Sequence, residues 1–255
     1  MTILTRACVG ENELLVSRLP AILYKVLAQI QNARMELRPF TEDWKLPPGF
    51  TDGAKLAVVA NPNSPTGTRL EPRELLDVAR DAQCLVIADE AYANFAETTC
   101  LPLVRDCERL VVTRTLSKSH GLAGIRFGFV VAQPAIIESL IKVKDSYNCD
   151  AVSIAAATAA MEDQEYLERT TKMVLATRKR LELSLAELGF QVTPSQANFV
   201  WIRRREPVKP IYEALKEQRI LIRYLSYPQY GEGLRISVGT DEEINTLLDA
   251  LRQLV

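Results

Sequence analysis

Short apolar runs alternate with helical periodicities along the first half of the chain. Residues 13–17, 35–39, 55–60, 84–88, 110–113 and 126–131 form apolar runs of strand length. Between them, Ile22, Leu23, Val26, Leu27 and Ile30 recur at helical spacing and predict a helix over 20–33. A second helix is expected over 71–82, opened by Pro72, and a third over 134–144, opened by Pro134. Strands alternating with helices predict an α/β fold, a mainly parallel sheet covered on both faces.

The pattern changes in the second half. A long amphipathic stretch over 164–188 carries Leu167, Val174, Leu175, Leu181, Leu185 and Leu188 and stops at Gly189, a residue suited to the position just past a helix. Strands are expected at 197–202, 220–223 and 234–238, with a helix over 210–218 and a closing helix from Asp241, read as its N-cap, to Leu254. These features divide the chain into a larger domain over 1–150 and a small C-terminal α/β domain over 151–255, the latter including the long bridging helix. Residues 1–6 read as a severed strand or the start of a loop, and 41–53 as a loop turning at Pro47-Pro48-Gly49.

Composition narrows the function classes. Of 255 residues, 31 are basic and 32 acidic, so the formal net charge of −1 provides no global field toward nucleic acid or an anionic membrane. The run Arg203-Arg204-Arg205 reads as a solvated strand end. No apolar run approaches the ~20 residues needed to span a bilayer. Five scattered cysteines and one histidine offer no structural metal site and point to a reducing, cytoplasmic setting.

The chemistry concentrates after three of the apolar runs, where an open α/β sheet keeps its ligands. Asn61-Pro62-Asn63-Ser64-Pro65-Thr66-Gly67 closes the run at 55–60 with a rigid turn. Asp89 and Glu90 close the run at 84–88; one carboxylate is expected to point into the mouth of the sheet, where it needs a cationic partner. After the run at 110–113 comes Ser117-Lys118, then Gly121-Leu122-Ala123-Gly124 and Arg126. Small residues let the backbone approach a ligand, while the Arg126 fork and the Ser117 hydroxyl suit an oxyanion. An amine partly desolvated beside cationic charge becomes the neutral nucleophile that attacks an aldehyde, so Lys118 reads as a Schiff-base lysine beside a phosphate grip. His120 reads as a loop side chain.

Taken together, Asn-Pro-Asn-Ser-Pro-Thr-Gly, Asp89-Glu90-Ala91-Tyr92 and Thr115-Leu116-Ser117-Lys118 with Gly-Leu-Ala-Gly-Ile-Arg126 resemble the fold-type I pyridoxal-phosphate enzymes, and among them the histidinol-phosphate aminotransferase group of the class II aminotransferases. The resemblance runs from about Glu11 to the C-terminus. It implies an aspartate-aminotransferase-like sheet lacking its first strand, pyridoxal 5'-phosphate as cofactor, a small-molecule amino donor, a 2-oxo acid such as 2-oxoglutarate as acceptor, and a homodimer if the N-terminal region is supplied. Lys118, Asp89 and Tyr92 would be catalytic: Lys118 binds the cofactor and moves the substrate proton, Asp89 keeps the pyridine nitrogen protonated, and Tyr92 contacts the ring's phenolic oxygen. Ser117 and Arg126 would hold the cofactor phosphate.

Arg235 would bind the anionic end of the substrate and Arg223 would assist when that end is a phosphate, with Tyr147 in the segment joining the domains. Serine at position 64 replaces the family's usual asparagine, which leaves open whether Asn63 or Ser64 reaches the phenolic oxygen; Ser146 replaces the usual proline before Tyr147. Relative to the family, roughly a hundred N-terminal residues are missing, including a glycine-rich phosphate-binding turn, so the resemblance implies a truncated chain with a weakened cofactor grip. Two other readings share these motifs: a threonine-phosphate-type decarboxylase and a non-catalytic remnant.

Overall fold

The computed structural model describes residues 1–18, 22–41, 43–227 and 231–255. It divides into two compact units, one of Met1–Pro62, Leu70–Ala93 and Glu97–Asp163, the other of Asn63–Arg69, Asn94–Ala96 and Gln164–Val255.

The first unit is built on a six-stranded sheet of β1 (Leu14–Ser17), β2 (Arg34–Leu37), β3 (Leu56–Ala60), β4 (Leu85–Asp89), β5 (Leu110–Thr115) and β6 (Gly128–Val131). Its order is β2-β1-β3-β4-β5-β6, parallel throughout except for the antiparallel edge pair β5–β6. The central strands are apolar on both faces because both are covered. Alternation sorts their side chains. Leu56, Val58, Ile87 and Val111 face α1 (Thr2–Cys8), α2 (Ile22–Ile30) and α4 (Pro134–Val143). Ala57, Val59, Val86, Ala88, Leu110 and Val112 face α3 (Pro72–Asp81) and the packed loop side chains Phe40 and Phe50. Helix α3 opens on a capping box, with Glu71 Oε and Glu74 Oε each accepting from the other's backbone N–H, and with Pro72 in its first turn.

Helix α5 (Ala151–Glu162) follows, capped by Asp150, whose Oδ1 accepts from Ser153 N–H at 2.9 Å. Neither α1 nor α5 is expected from the sequence: Thr2–Cys8 form a helix where a strand or the start of a loop is expected over 1–6. The beginning of the helix expected from Pro20 lies outside the described residues.

In the second unit, α6 (Gln164–Glu187) is followed two residues on by Gly189, whose φ of 83° is the left-handed conformation favoured just past a helix terminus. An antiparallel sheet follows in the order β7-β8-β10-β9, from β7 (Gln191–Thr193), β8 (Phe199–Arg203), β9 (Arg223–Tyr227) and β10 (Gly231–Ser237). One face packs Val200, Ile202, Leu234 and Ile236 against Leu181 and Leu185 of α6, Leu215 of α7 (Lys209–Glu217) and Leu247, Leu248 and Leu251 of α8 (Asp241–Leu254). Two expectations need correction. The strand expected at 220–223 begins only at Arg223, because Ile220 and Ile222 pack on that core before the ladder starts. The cap of α8 is Thr240, which accepts from Glu243 N–H and donates its own N–H to Glu243 Oε2, while Asp241 is the first helical residue. Among the described residues no helix is long and apolar enough to cross a membrane.

Candidate active site

Strands β3, β4 and β5 deliver the candidate residues at their carboxyl ends. Beyond β3 the ladder continues, Asn61 N–H donating to Asp89 O at 2.9 Å. The Asn61 side chain accepts from Leu70 N–H at 2.8 Å and donates to Leu70 O at 3.1 Å, which clamps the base of the loop.

Asp89 and Glu90 follow one another in sequence and therefore point to opposite faces. Asp89 lies on the α2 side. Its Oδ2 accepts from Tyr24 O–H at 2.6 Å and its Oδ1 from Thr113 Oγ1 at 3.1 Å. Thr113 is its ladder partner on β5. Glu90 lies on the α3 side, buried, and accepts from Cys100 N–H at 2.5 Å, Thr99 Oγ1 at 2.7 Å and Arg114 Nε at 2.9 Å. The cationic partner expected for the inward carboxylate thus belongs to Glu90, and Asp89 is held by hydroxyl groups. Burial first, then the negative charge of Asp89, raises the Tyr24 phenol well above its ordinary pKa. The Cys100 thiol, buried beside Glu90, is pushed up to about 12.

Past β5, Thr115 Oγ1 donates to Ser117 Oγ at 3.0 Å, and Arg126 Nη1 reaches the same oxygen at 3.5 Å. Arg126 also donates to Ala123 O at 2.9 Å and adopts φ of 57°, unusual for a residue with a long side chain. Such strain is retained where surrounding structure enforces it, commonly at ligand sites. Gly121, at φ of 68°, supplies the turn between them; a Cβ there would meet no described atom, so it is the backbone conformation that needs glycine. Lys118 Nζ lies 5.5 Å from the centroid of the Tyr92 ring. Lys118 is exposed, contrary to the partly desolvated setting expected for it. His120 Nδ1 pairs with Ser119 Oγ at 3.0 Å, and burial lowers its pKa.

Asn63 and Ser64 belong to the second unit. Asn63 Nδ2 donates to Thr66 Oγ1 at 2.9 Å within its own turn, whereas Ser64 Oγ accepts from Arg235 Nη1 at 2.9 Å. Gly67, at φ of 74°, takes Gln196 N–H on its carbonyl, and a Cβ on it would collide with Ser195. Arg223 and Arg235 are directly opposed across β9 and β10, so both side chains leave the sheet on the face away from the helices. Tyr227, four residues after Arg223, shares that face; its hydroxyl is buried, and its pKa is raised by burial against the pull of both arginines. Tyr147 is 94 % exposed, and nothing among the described residues ties it to the Lys118 group.

Tyr24, Thr113, Arg114 and Tyr227 escape the sequence reading. The first three contact Asp89 or Glu90; strand alternation from Asp89 and Glu90 would have selected Thr113 and Arg114 once the β4–β5 register was known, but nothing local marks Tyr24.

The model of the family described as aminotransferase class I and II matches residues 21–251. The chain belongs to the class I and II aminotransferases. A histidinol-phosphate aminotransferase from Rhodopirellula baltica is 51 % identical over 253 residues, covering 97 % of this chain and 70 % of that protein. Another from Citrifermentans bemidjiense is 40 % identical over 256 residues, covering 98 % of this chain and 73 % of that protein. Among solved structures, histidinol-phosphate aminotransferase from Sinorhizobium meliloti, in complex with pyridoxal-5'-phosphate, superposes on this aminotransferase with a TM-score of 0.91 at 25 % identity, covering all of this chain and 74 % of that one. The fold is shared more widely: L-threonine-O-3-phosphate decarboxylase from Porphyromonas gingivalis matches with a TM-score of 0.83 at 18 % identity over 99 % of this chain and 79 % of that one.

Proposed function

We propose that this aminotransferase exchanges an amino group between a phosphate-bearing amine of the histidinol-phosphate type and a 2-oxo acid, with 2-oxoglutarate as the acceptor. Pyridoxal phosphate is its cofactor, in keeping with the family and with the ligand of the Sinorhizobium meliloti structure. The donor set suits that compound. Ser117 Oγ and the Arg126 guanidinium share a hydrogen bond at the turn after β5 and present donors to a phosphate, and Asp89 is an acceptor for a protonated ring nitrogen. Lys118 offers an exposed amine beside Tyr92.

When bound, the cofactor supplies an electron-accepting ring that stabilises negative charge on the substrate carbon. Lys118 Nζ would tether the cofactor and, once displaced from it by the substrate amine, would be free to take up and return the substrate proton. Asp89 would keep a proton on the ring nitrogen. Tyr92 would donate to the phenolic oxygen, with Asn63 or Ser64 as a further donor. Arg235 and Arg223 bind the anionic end of the substrate, where two guanidinium groups match the charge and acceptor count of a phosphate better than those of a carboxylate. Tyr147 is assigned to the substrate as well. The reading extends to a homodimer in a reducing, cytoplasmic setting, which suits five cysteines without a disulfide.

The observation that carries this reading is the 51 % identity with the Rhodopirellula baltica protein, spread over 97 % of the chain and accompanied by Asp89, Ser117, Lys118 and Arg126 at neighbouring strand ends. The test is incubation of the purified chain and pyridoxal phosphate with histidinol phosphate and 2-oxoglutarate. Glutamate formed in step with loss of histidinol phosphate supports the assignment. Carbon dioxide released from threonine phosphate would point to a decarboxylase, and no product from either substrate would point to a non-catalytic remnant.

A further inference from the structure

We propose that Tyr24 and Thr113 are positioning residues for the aminotransferase reaction: by donating to opposite oxygens of Asp89 they fix that carboxylate and set how strongly it draws the proton of the cofactor's ring nitrogen. The inference rests on the role given to Asp89 under Proposed function and adds the groups that govern it.

The geometry is specific. A carboxylate has about four lone-pair sites, two on each oxygen. Tyr24 takes one on Oδ2 at 2.6 Å and Thr113 takes one on Oδ1 at 3.1 Å, one donor from a helix and one from the neighbouring strand. The two bonds leave acceptor capacity on each oxygen while removing rotation about the terminal torsion, which is otherwise broad for aspartate. The supports themselves are rigid. The Tyr24 ring is 6 % exposed and packs with Ala28, Leu56, Val58 and Ile87, and Thr113 sits in register opposite Asp89 in a buried ladder.

Both donors are neutral, which separates this carboxylate from its neighbour. Glu90 is paired with the Arg114 guanidinium, whereas the side-chain hydrogen bonds to Asp89 come from the hydroxyl groups of Tyr24 and Thr113. A hydrogen bond to the charged form of a carboxylate favours that form and weakens its pull on an external proton. Removal of either donor therefore makes Asp89 the stronger base and draws the shared proton from the ring nitrogen toward the carboxylate. Tyr24 remains a donor through any assay range, since burial and the adjacent charge hold its phenol protonated.

The experiment uses the full chain loaded with pyridoxal phosphate labelled with nitrogen-15 in the ring, read by the chemical shift of that nitrogen. Three variants are compared with the parent: Tyr24→Phe, Thr113→Val and Asp89→Asn. Tyr24→Phe and Thr113→Val are expected to move the resonance part of the way toward the neutral-pyridine position, and Asp89→Asn to move it fully. Turnover number should fall about tenfold in the two donor variants, the equivalent of one hydrogen bond, with KM little changed. A purely structural role for Tyr24 would lower the unfolding temperature without moving the nitrogen signal.

An unmoved resonance in Tyr24→Phe, with Asp89→Asn fully shifted, overturns the proposal and leaves the Asp89 assignment standing. An unmoved resonance in Asp89→Asn, or no cofactor bound by the parent chain, overturns that assignment and the proposal with it. If circular dichroism shows Tyr24→Phe to be unfolded, Thr113→Val carries the test, and an unmoved resonance there is equally fatal.

Discussion

Glu90 and Arg114 form a buried ion pair, 2.8 Å from Oε2 to Nη2, with the Glu90 side chain 1 % exposed, on the face of the sheet opposite Asp89. Thr99 bridges the same two residues, donating to Glu90 Oε2 at 2.7 Å and accepting from Arg114 Nη2 at 2.9 Å. Glu90 also takes Cys100 N–H, so the pair secures the backbone leaving β4 as well as the β5 strand.

Removal of one member strands the other charge. Glu90→Gln is expected to lower unfolding free energy by about 3 kcal/mol, the range for breaking a buried pair, and Arg114→Met in the same chain to recover part of that loss. Urea unfolding of the two single variants and the double variant checks this; a double variant no more stable than the worse single would contradict it.

Lys118→Ala is expected to abolish covalent capture of pyridoxal phosphate by borohydride, with the label in the parent confined to the peptide holding Lys118. Arg126→Ala should instead retain capture while weakening cofactor affinity by roughly 10- to 100-fold, the worth of one charge-assisted hydrogen bond. Peptide mapping and absorbance titration distinguish the two. Labelling spread over many lysines in the parent would remove Lys118 from its assigned role.

The opposed arginines of β9 and β10 should divide the substrate between them. Arg223→Ala is expected to raise KM for histidinol phosphate by roughly tenfold or more, with a much smaller change for a carboxylate-terminated amino donor, whereas Arg235→Ala should raise KM for both. Steady-state kinetics with the two donor types reads the difference; equal effects of Arg223→Ala on both would refute a phosphate-directed role.

Glu182 offers a pH test independent of the active site. It accepts Ser195 N–H at 3.0 Å, yet burial outweighs that bond and the Arg178 charge and raises its pKa above the ordinary glutamate range. A carboxylate with a raised folded-state pKa favours folding most below its unfolded value, and that contribution is lost as pH rises through the folded value. Glu182→Gln keeps the acceptor without the charge. The variant should melt higher than the parent at pH 7.5, and the gap should close as pH falls below the ordinary glutamate pKa; a constant gap would implicate packing instead.

Thiol chemistry should follow burial. Cys84, Cys100 and Cys107 are buried, Cys100 with its pKa near 12, whereas Cys8 and Cys149 are partly exposed. Native protein treated with a thiol-specific alkylating agent is expected to carry label only at Cys8 and Cys149, and at all five positions after denaturation, as read by peptide mass spectrometry.

The parts of the fold legible in the sequence are those whose pattern is dictated by burial on a fixed period. β3 and residues 85–88 of β4 are unbroken apolar runs because both faces are covered, and α6 buries Leu181 and Leu185 on one stripe while Leu183 is exposed, because only one face is covered. Helix α5 was hidden for the converse reason: Ala-Val-Ser-Ile-Ala-Ala-Ala-Thr-Ala-Ala is apolar on every side and has no stripe to detect. At β9 the apolar residues Ile220 and Ile222 mark the core contact, while the ladder begins at Arg223, where the hydrogen-bonding partner on β10 decides.

The site divides in the same way. Lys118, Ser117 and Arg126 lie within ten residues of one another, so their chemistry could be read as a local grouping. What holds Asp89 could not, because Tyr24 is 65 residues distant and reaches it only through the packing of α2 on the sheet. Ser64 is similar: its partner Arg235 is 171 residues away.

The alternation at the end of β4 makes registration part of the chemistry. A single residue inserted or deleted within β4 would turn the Glu90 carboxylate toward Tyr24 and leave Asp89, one methylene shorter, to meet Arg114. Both positions would still hold an acid, and the Asp-Glu pair would still be written in the sequence, yet each carboxylate would occupy the wrong compartment. Homologous chains that preserve the dipeptide but change the length of the preceding strand should therefore be inactive, however well their motifs align.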